Sequence, residues 1–279
     1  MFLRYVVASV VLIGAGLLYA TRRFSQQTNE LARQLLAQSP LDKTMVTPEM
    51  LVGLPAPVQA WLTAAGVVGR ERVHTVRLRQ HALMRTSPTA AWMPIDAVQY
   101  FGVDVPGFVW KANARMMGFL PLAGYDAYVG GKGRLLMKAL SVVPVADAAD
   151  DKVNQGEMVR FLAEMCLFPS AALSPYLTWQ AIDTNQAEVA MTDNGLTVRA
   201  VFAFNAQHQL ASVTARRYYG GAGEVSTLET WYMPMHAWKS MHGTTIPVQG
   251  DVIWKLSTGD INYFRWEVTD IDYNKPMLY

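Results

Sequence analysis

From Val73 to the end of the chain, apolar and polar residues alternate in one short run after another. A period of two belongs to strands, whose successive side chains point to opposite faces. A chain built of many such runs has to bury one face of a sheet. Residues 73–87, "VHTVRLRQHALMRTS", put Val76, Leu78, Ala82 and Met84 on one face and Arg77, Arg79, His81 and Arg85 on the other. In "GFVWKANARMM", Phe108, Trp110, Ala112, Ala114 and Met116 oppose Val109, Lys111, Asn113, Arg115 and Met117. Turn chemistry separates the runs: Pro106-Gly107, the glycine-rich "GGKG" after Val129, and Asn194-Gly195, a two-residue hairpin signal. About twelve strands are expected. They are sequential and turn-linked, so the sheet should be mostly antiparallel.

One helix interrupts them, over 154–168, "NQGEMVRFLAEMCLF". Met158, Phe161, Leu162 and Met165 form its apolar stripe; Glu157, Arg160 and Glu164 read as a solvated face with local ion pairs. Two short helices are expected before the first strand, at "VTPEMLVGL" and "APVQAWLTAAG", each opened by a proline at its first position. The fold class is therefore a β-rich α+β domain: a large, curved, antiparallel, half-barrel-like sheet with a few covering helices.

The amino terminus is different. Tyr5 to Thr21 is uncharged and largely apolar, between Arg4 and the pair Arg22 and Arg23. Seventeen residues are at the short end of a transmembrane helix. A cleaved signal peptide is the rival, but Leu18 would sit where a small residue is preferred. Residues 1–21 are expected to be a transmembrane signal anchor. Residues 22–45 should supply a juxtamembrane helix, ending before Pro40, and a linker. Residues 46–279 should form a single β-rich domain.

A formal net charge of +2 argues against a nucleic-acid binder. The total hides an asymmetry: residues 70–140 hold ten Lys/Arg and four Asp/Glu, residues 141–209 three and eight. Cys166 is the lone cysteine, so no intramolecular disulfide forms, and it reads as a small buried hydrophobe.

Several phrases carry a family resemblance: "LPAPVQAWLTAAGVVGRERVHTVRLRQ", "MRTSPTAAWMPIDAVQYF", "KALSVVPVADA", "RFLAEMCLFPSAALSPYLTW" and "TIPVQGDVIWKLSTGDINYFRWEVTDIDYN". Together they resemble a bacterial family of membrane-anchored proteins known only as a domain of unknown function, over roughly residues 50–274. More loosely, the architecture is similar to the lipoprotein-carrier half-barrels of the bacterial envelope. That resemblance implies acyl chains held between a concave sheet and a helical lid, with the helix at 154–168 and those at 47–66 as lid. It also implies a body outside the cytoplasm, periplasmic or extracellular, at the bacterial inner membrane.

No catalytic signature stands out. None of His74, His81, His208, His236 and His242 has metal-ligand spacing, and each reads as a surface or turn histidine. Neither GxSxG nor SxxK is present, and no metal or cofactor is expected. Asp126, Asp147, Asp150 and Asp151 could form a carboxylate set, although turns use Asp for their own backbone. Aromatic and methionine content points to an apolar cavity, with Tyr100, Trp110, Phe161, Met165 and Trp179 as candidate ligand contacts. Arg77, Arg79, Arg85 and Arg115 are candidates for an anionic headgroup, provided their strands lie alongside one another. The expected function is membrane-tethered binding of a lipid or other hydrophobic ligand. The alternative is a non-enzymatic envelope scaffold that binds a partner protein.

Overall fold

The computed structural model describes residues 2–39, 42–220 and 226–279, without the side chains of residues 3, 4, 6–8, 10 and 13. Pro40, expected to end the first helix, and the Arg4 side chain lie outside the described residues. Among the described residues thirteen strands form one sheet: β1 Thr75–Met84, β2 Met93–Gly102, β3 Gly107–Met116, β4 Leu120–Val129, β5 Lys132–Ala139, β6 Val143–Ala148, β7 Leu177–Ala181, β8 Gln186–Asp193, β9 Leu196–Phe204, β10 Leu210–Tyr219, β11 Thr227–Met241, β12 Thr244–Leu256 and β13 Gly259–Tyr273. Their order is β6-β5-β4-β3-β2-β1-β13-β12-β11-β10-β9-β8-β7, and each neighbouring pair is antiparallel. Two meanders thus meet at the β1–β13 pair, and β6 and β7 become the two edges.

Hairpin chemistry sets much of this register. Asn194 and Gly195 both have positive φ, 46° and 79°, as do Gly130 and Gly131 within "GGKG". That is the backbone of a turn whose twist matches two paired strands. The strand beyond the expected twelve is β6. Pro144 and an exposed Val143 and Val145 hide it from a pattern reading, and both features suit an edge strand that pairs on one side only.

Because β6 and β7 lie at opposite edges, the segment joining them has to cross the sheet. It does so as α3, Asp151–Glu164, followed by 3-10 turns at Met165–Leu167 and Pro169–Leu173. Asp150 caps α3, its carboxylate accepting from the Lys152 and Val153 amides at 2.9 Å each. The helix packs against β3, β4 and β5 on one wing and β9 and β10 on the other, so the sheet curls around it as a half-barrel. The concave core holds Phe101, Phe108, Phe161, Phe168 and Phe202, all fully buried.

Crossing inside the curl buries both faces of α3, which corrects the expectation of a solvated charged face. Glu157 is 3% exposed, and the Arg160 and Glu164 side chains are largely enclosed, at 12% and 15%. His74 is also buried rather than a surface histidine, its Nδ1 2.8 Å from Asp104 and Nε2 2.8 Å from Asp42. Asp147 pairs with Arg134, and Asp150 serves as the cap.

Helix α1, Phe2–Leu36, is continuous through the expected anchor and juxtamembrane segments. Ala32, Leu35 and Leu36 pack on the convex face of β2, β3 and β4, against Tyr100, Val109 and Ala127. Gly107 permits this approach, since a Cβ there would stand 2.8 Å from the Leu35 side chain. Helix α2, Ala56–Ala64, buries Val58, Trp61 and Leu62 on the far wing, where Trp61 meets Trp179, Phe202 and Phe204. Among the described residues no helix is long and apolar enough to cross a membrane.

Candidate functional site

Between α3 and the concave sheet lies a cavity of about 270 Å³. Both wings line it. Ile95, Trp110, Leu135, Met137 and Ala146 come from β2, β3, β5 and β6, and Trp231, Met233, Val252, Phe264 and Trp266 from β11, β12 and β13. Gln80 and Met84 of β1 and Tyr263 of β13 complete the floor, with Cys166 and Leu167 following the helix. The size falls just below the range of roughly 300–1,000 Å³ for small-molecule sites. A second cavity of similar volume sits at the opposite margin, by Ser39, Asp42, His74 and Asn274, and lacks an apolar wall of this kind.

Five charged side chains converge in the otherwise apolar enclosure. From α3, the Arg160 guanidinium donates to Asp126 of β4 at 2.7 Å and to Glu164 at 3.0 Å. From β10, Arg217 donates to Glu157 at 3.2 Å, and the Gln99 amide of β2 donates to Glu164 at 2.6 Å. Arg160 also lies 4.9 Å from the ring centroids of both Phe108 and Trp110, and Arg217 lies over Trp231 at 5.6 Å. Planar guanidinium groups suit these stacked, forked positions better than an ammonium would.

Three carboxyls face two guanidinium groups, so one negative charge has no local partner. Burial resolves this by favouring the neutral acid. It pushes Glu157 up to about 7 against the pull of Arg217, and Asp126 is likewise raised by burial despite Arg160. Burial would lower Arg160, but Glu164, Asp126 and Glu157 together hold it above its ordinary value. Burial raises the Cys166 thiol well above its usual range, leaving it un-ionised and inert.

Among the described residues, two buried polar atoms in the wall have no partner: Glu157 Oε2 and the indole Nε1–H of Trp266. The other two cavity indoles are satisfied, Trp110 by Gln80 Oε1 at 3.0 Å and Trp231 by the Tyr263 hydroxyl at 3.1 Å. Unmet buried groups cost about 1–3 kcal/mol each, and a ligand that carries a donor and an acceptor would relieve both.

Of the five expected ligand contacts, Trp110 lines this cavity. Phe161 and Met165 are fully buried on the opposite side of α3, in the packed core. Trp179 stacks on Trp61 and Phe202 in the far wing, and Tyr100 faces α1 on the convex side. Among the described residues helix α2 supplies no lining residue, so α3 and the 3-10 turn that follows it form the roof. Of the carboxylate set the sequence suggested, Asp126 alone lines the cavity, and sequence reasoning missed Arg217, Trp266 and the inward side of α3. The strand parity of Trp266 could have found that residue, but nothing local points to Arg217.

The four arginines do not form one cluster. Arg77 and Arg79 of β1 oppose Asp272 and Asp270 of β13, and Arg77 is bonded to Asp272 at 2.9 Å. Both guanidinium groups lie over the Tyr279 ring, at 4.5 and 4.4 Å. On the other side β2 intervenes, presenting Tyr100, Val98 and Asp96 between β1 and the Lys111 and Arg115 strand. Arg85 turns to the Asn262 and Pro88 carbonyls, and Arg115 is exposed at the end of β3.

The sequence model of DUF6544, a family of unknown function, matches residues 44–266, most of the chain. Among curated proteins no relative matches. Solved structures similar to this one include a LolA superfamily protein from Nitrosomonas europaea, at TM-score 0.45 and 10% identity, covering 77% of this chain and 93% of that one. Another is a putative outer membrane lipoprotein-sorting protein domain from Vibrio parahaemolyticus, at TM-score 0.37 and 8% identity, covering 73% and 87%. A DUF1329 family protein from Desulfovibrio piger has TM-score 0.36 and 10% identity, covering 80% and 94%. Likenesses at this level carry no argument for function, which has to come from the cavity itself.

Proposed function

This chain belongs to the DUF6544 family of unknown function, and we propose that its cavity beneath α3 binds an amphiphile: a lipid or other hydrophobic molecule with one polar group. The observation that carries the reading is the pairing of an apolar enclosure with two unpartnered buried polar atoms, Glu157 Oε2 and Trp266 Nε1. The polar group meets the charged row at Asp126, Glu157 and Arg160. The apolar part lies toward Met84, Ile95, Met137 and Ala146. This is a binding protein rather than an enzyme.

The same proposal includes a membrane tether through residues 5–21, with the sheet on the periplasmic or extracellular side of a bacterial inner membrane. Its support is the exposure of Tyr5, Val11, Leu12, Leu18 and Tyr19 along that stretch of helix. An uncovered apolar helix is disfavoured in water and favoured in lipid. At 1.5 Å per residue the seventeen residues span about 26 Å, slightly less than a bilayer core.

Native mass spectrometry of the detergent-extracted full chain tests the ligand. One bound amphiphile per chain is expected, lost in Ala146→Phe, which fills the apolar end from an edge strand. A chain with no bound or exchangeable amphiphile would overturn the reading.

A further inference from the structure

The strand register gathers three loops at one end of the β1–β6 wing. Leu83 pairs with Pro94, Ala114 with Ile95, and Arg115 with Pro121, while the Leu140 amide bonds to the Pro121 carbonyl at 2.9 Å. Beyond that row project the β1–β2 loop (85–92), the β3–β4 turn (117–119) and the β5–β6 turn (140–142). The tips of the last two are apolar. Met117 and Phe119 are 81% and 73% exposed, and Leu140, Val142 and Val143 are exposed beside them. Isolated apolar surface residues need no explanation, but five on two adjacent turns at one end do.

Helix α1 arrives at this same end. Its C-terminal half runs along the convex face, from Leu35 beside Gly107 back to Thr21, whose hydroxyl bonds Ser141 in the β5–β6 turn at 3.2 Å. Residues 5–20 therefore continue past the sheet, about 24 Å of helix at 1.5 Å per residue. The apolar run of α1 begins where the apolar tips end. Basic and amphipathic side chains ring the junction: Arg22, Arg23 and Arg115 are exposed, Lys138 lies over Phe24, and Trp92 is held between Arg85 and Arg265 at 4.5 Å from each. Tryptophan and arginine beside an apolar rim suit a headgroup region.

We infer that the turns at 117–119 and 140–143 rest on the lipid bilayer into which α1 inserts, as a second, peripheral membrane contact. The inference rests on the tether proposed above. The occupant is the lipid surface itself, because the rim is continuous with the apolar helix at Thr21–Ser141. The apolar end of the cavity, at Met84, Ile95, Met137 and Ala146, lies toward this rim, and the charged row at Trp110 and Asp126 lies farther from it. An amphiphile leaving the bilayer would enter polar group first, with its apolar part trailing.

The test attaches an environment-sensitive fluorophore to the full chain at single positions, Phe119→Cys, Val142→Cys, Leu12→Cys and Val105→Cys. The native Cys166 is buried and takes no label. Each protein is reconstituted in vesicles of phosphatidylethanolamine and phosphatidylglycerol bearing nitroxide at the headgroup or deep in the acyl chain. Labels at 119 and 142 should shift to the blue and be quenched by the headgroup nitroxide. Position 12 should be quenched by the deep one, and position 105, at the opposite end of the wing, by neither. Quenching at 12 with 119 and 142 left in water would overturn the inference while the tether stands. Quenching at 119 and 142 without 12 would support the rim and refute the tether. A blue shift at 119 and 142 seen only in native membranes, never in protein-free vesicles, would assign the rim to a protein partner and overturn the lipid contact.

Discussion

Replacing Arg160 with methionine isolates the electrostatic design of the cavity. Methionine keeps an apolar stem over Phe108 and Trp110 but removes both charge-assisted bonds, to Asp126 at 2.7 Å and to Glu164 at 3.0 Å. Removing one partner of a buried ion pair costs about 3–5 kcal/mol, because the other charge is left uncompensated. For a domain of this size that is a fall in Tm of about 6–20 °C. The loss should depend on pH. Burial raises Asp126 above the usual carboxylate range, so it takes up a proton early as pH falls and then needs no counter-charge; the difference from the parent shrinks at acid pH and is largest at alkaline pH. Adding Asp126→Asn to Arg160→Met should recover part of the loss. The assay is thermal unfolding of the full chain in mild detergent, followed by circular dichroism from acid to alkaline pH. A deficit that is the same at every pH, and is not relieved by Asp126→Asn, would mean that Arg160 acts only through packing and would refute this reasoning.

Other consequences follow from the same geometry. Glu157 titrates in the folded chain at about 7, raised from 4.5 by burial, so the folded state holds the extra proton between those values. Stability should therefore fall as pH rises through that window and level off above it. Glu157→Gln should flatten much of that slope and be more stable than the parent at alkaline pH, as seen in a melting series. Asp126, raised for the same reason, keeps some slope in place. Gly250→Ala would push a Cβ to 2.6 Å from both the Pro234 carbonyl and the Trp266 ring. A loss of about 1–3 kcal/mol by chemical denaturation is expected, together with weaker ligand retention because the cavity wall moves. Asp150→Ala removes both cap bonds of α3 and should cost about 1 kcal/mol in the same assay.

What the sequence discloses and what it hides divide along a physical line. Alternation at β1 and β3 identifies the concave side chains correctly, because one face of each strand packs in the core. Asn194-Gly195 fixes a hairpin because its two positive φ angles are a local requirement. Alternation fades at 98–101, where Val98, Tyr100 and Phe101 are all apolar because α1 covers the convex face, and Tyr100 is easily assigned to the wrong side. Helix α3 is legible as a helix, but its environment is not. Glu157, Arg160 and Glu164 would line a wet face on any surface helix. They are buried here because the two edge strands it connects stand on opposite sides of a curled sheet. The partners that make this tolerable, Asp126 and Arg217, come from strands 34 and 60 residues away. Pairings of that range follow from topology, which local pattern does not carry.

The claim that this cavity is a binding site is tested most directly by quenching its own tryptophans. Trp110, Trp231 and Trp266 line the wall, so an amphiphile carrying bromine on its alkyl chain should quench them on entry. The expected result is a saturable loss of emission at one amphiphile per chain, reversed by an unbrominated competitor and abolished in Ala146→Phe. Quenching that rises without saturation and is the same in Ala146→Phe would contradict the account, for the amphiphile would then be meeting only the outside of the protein.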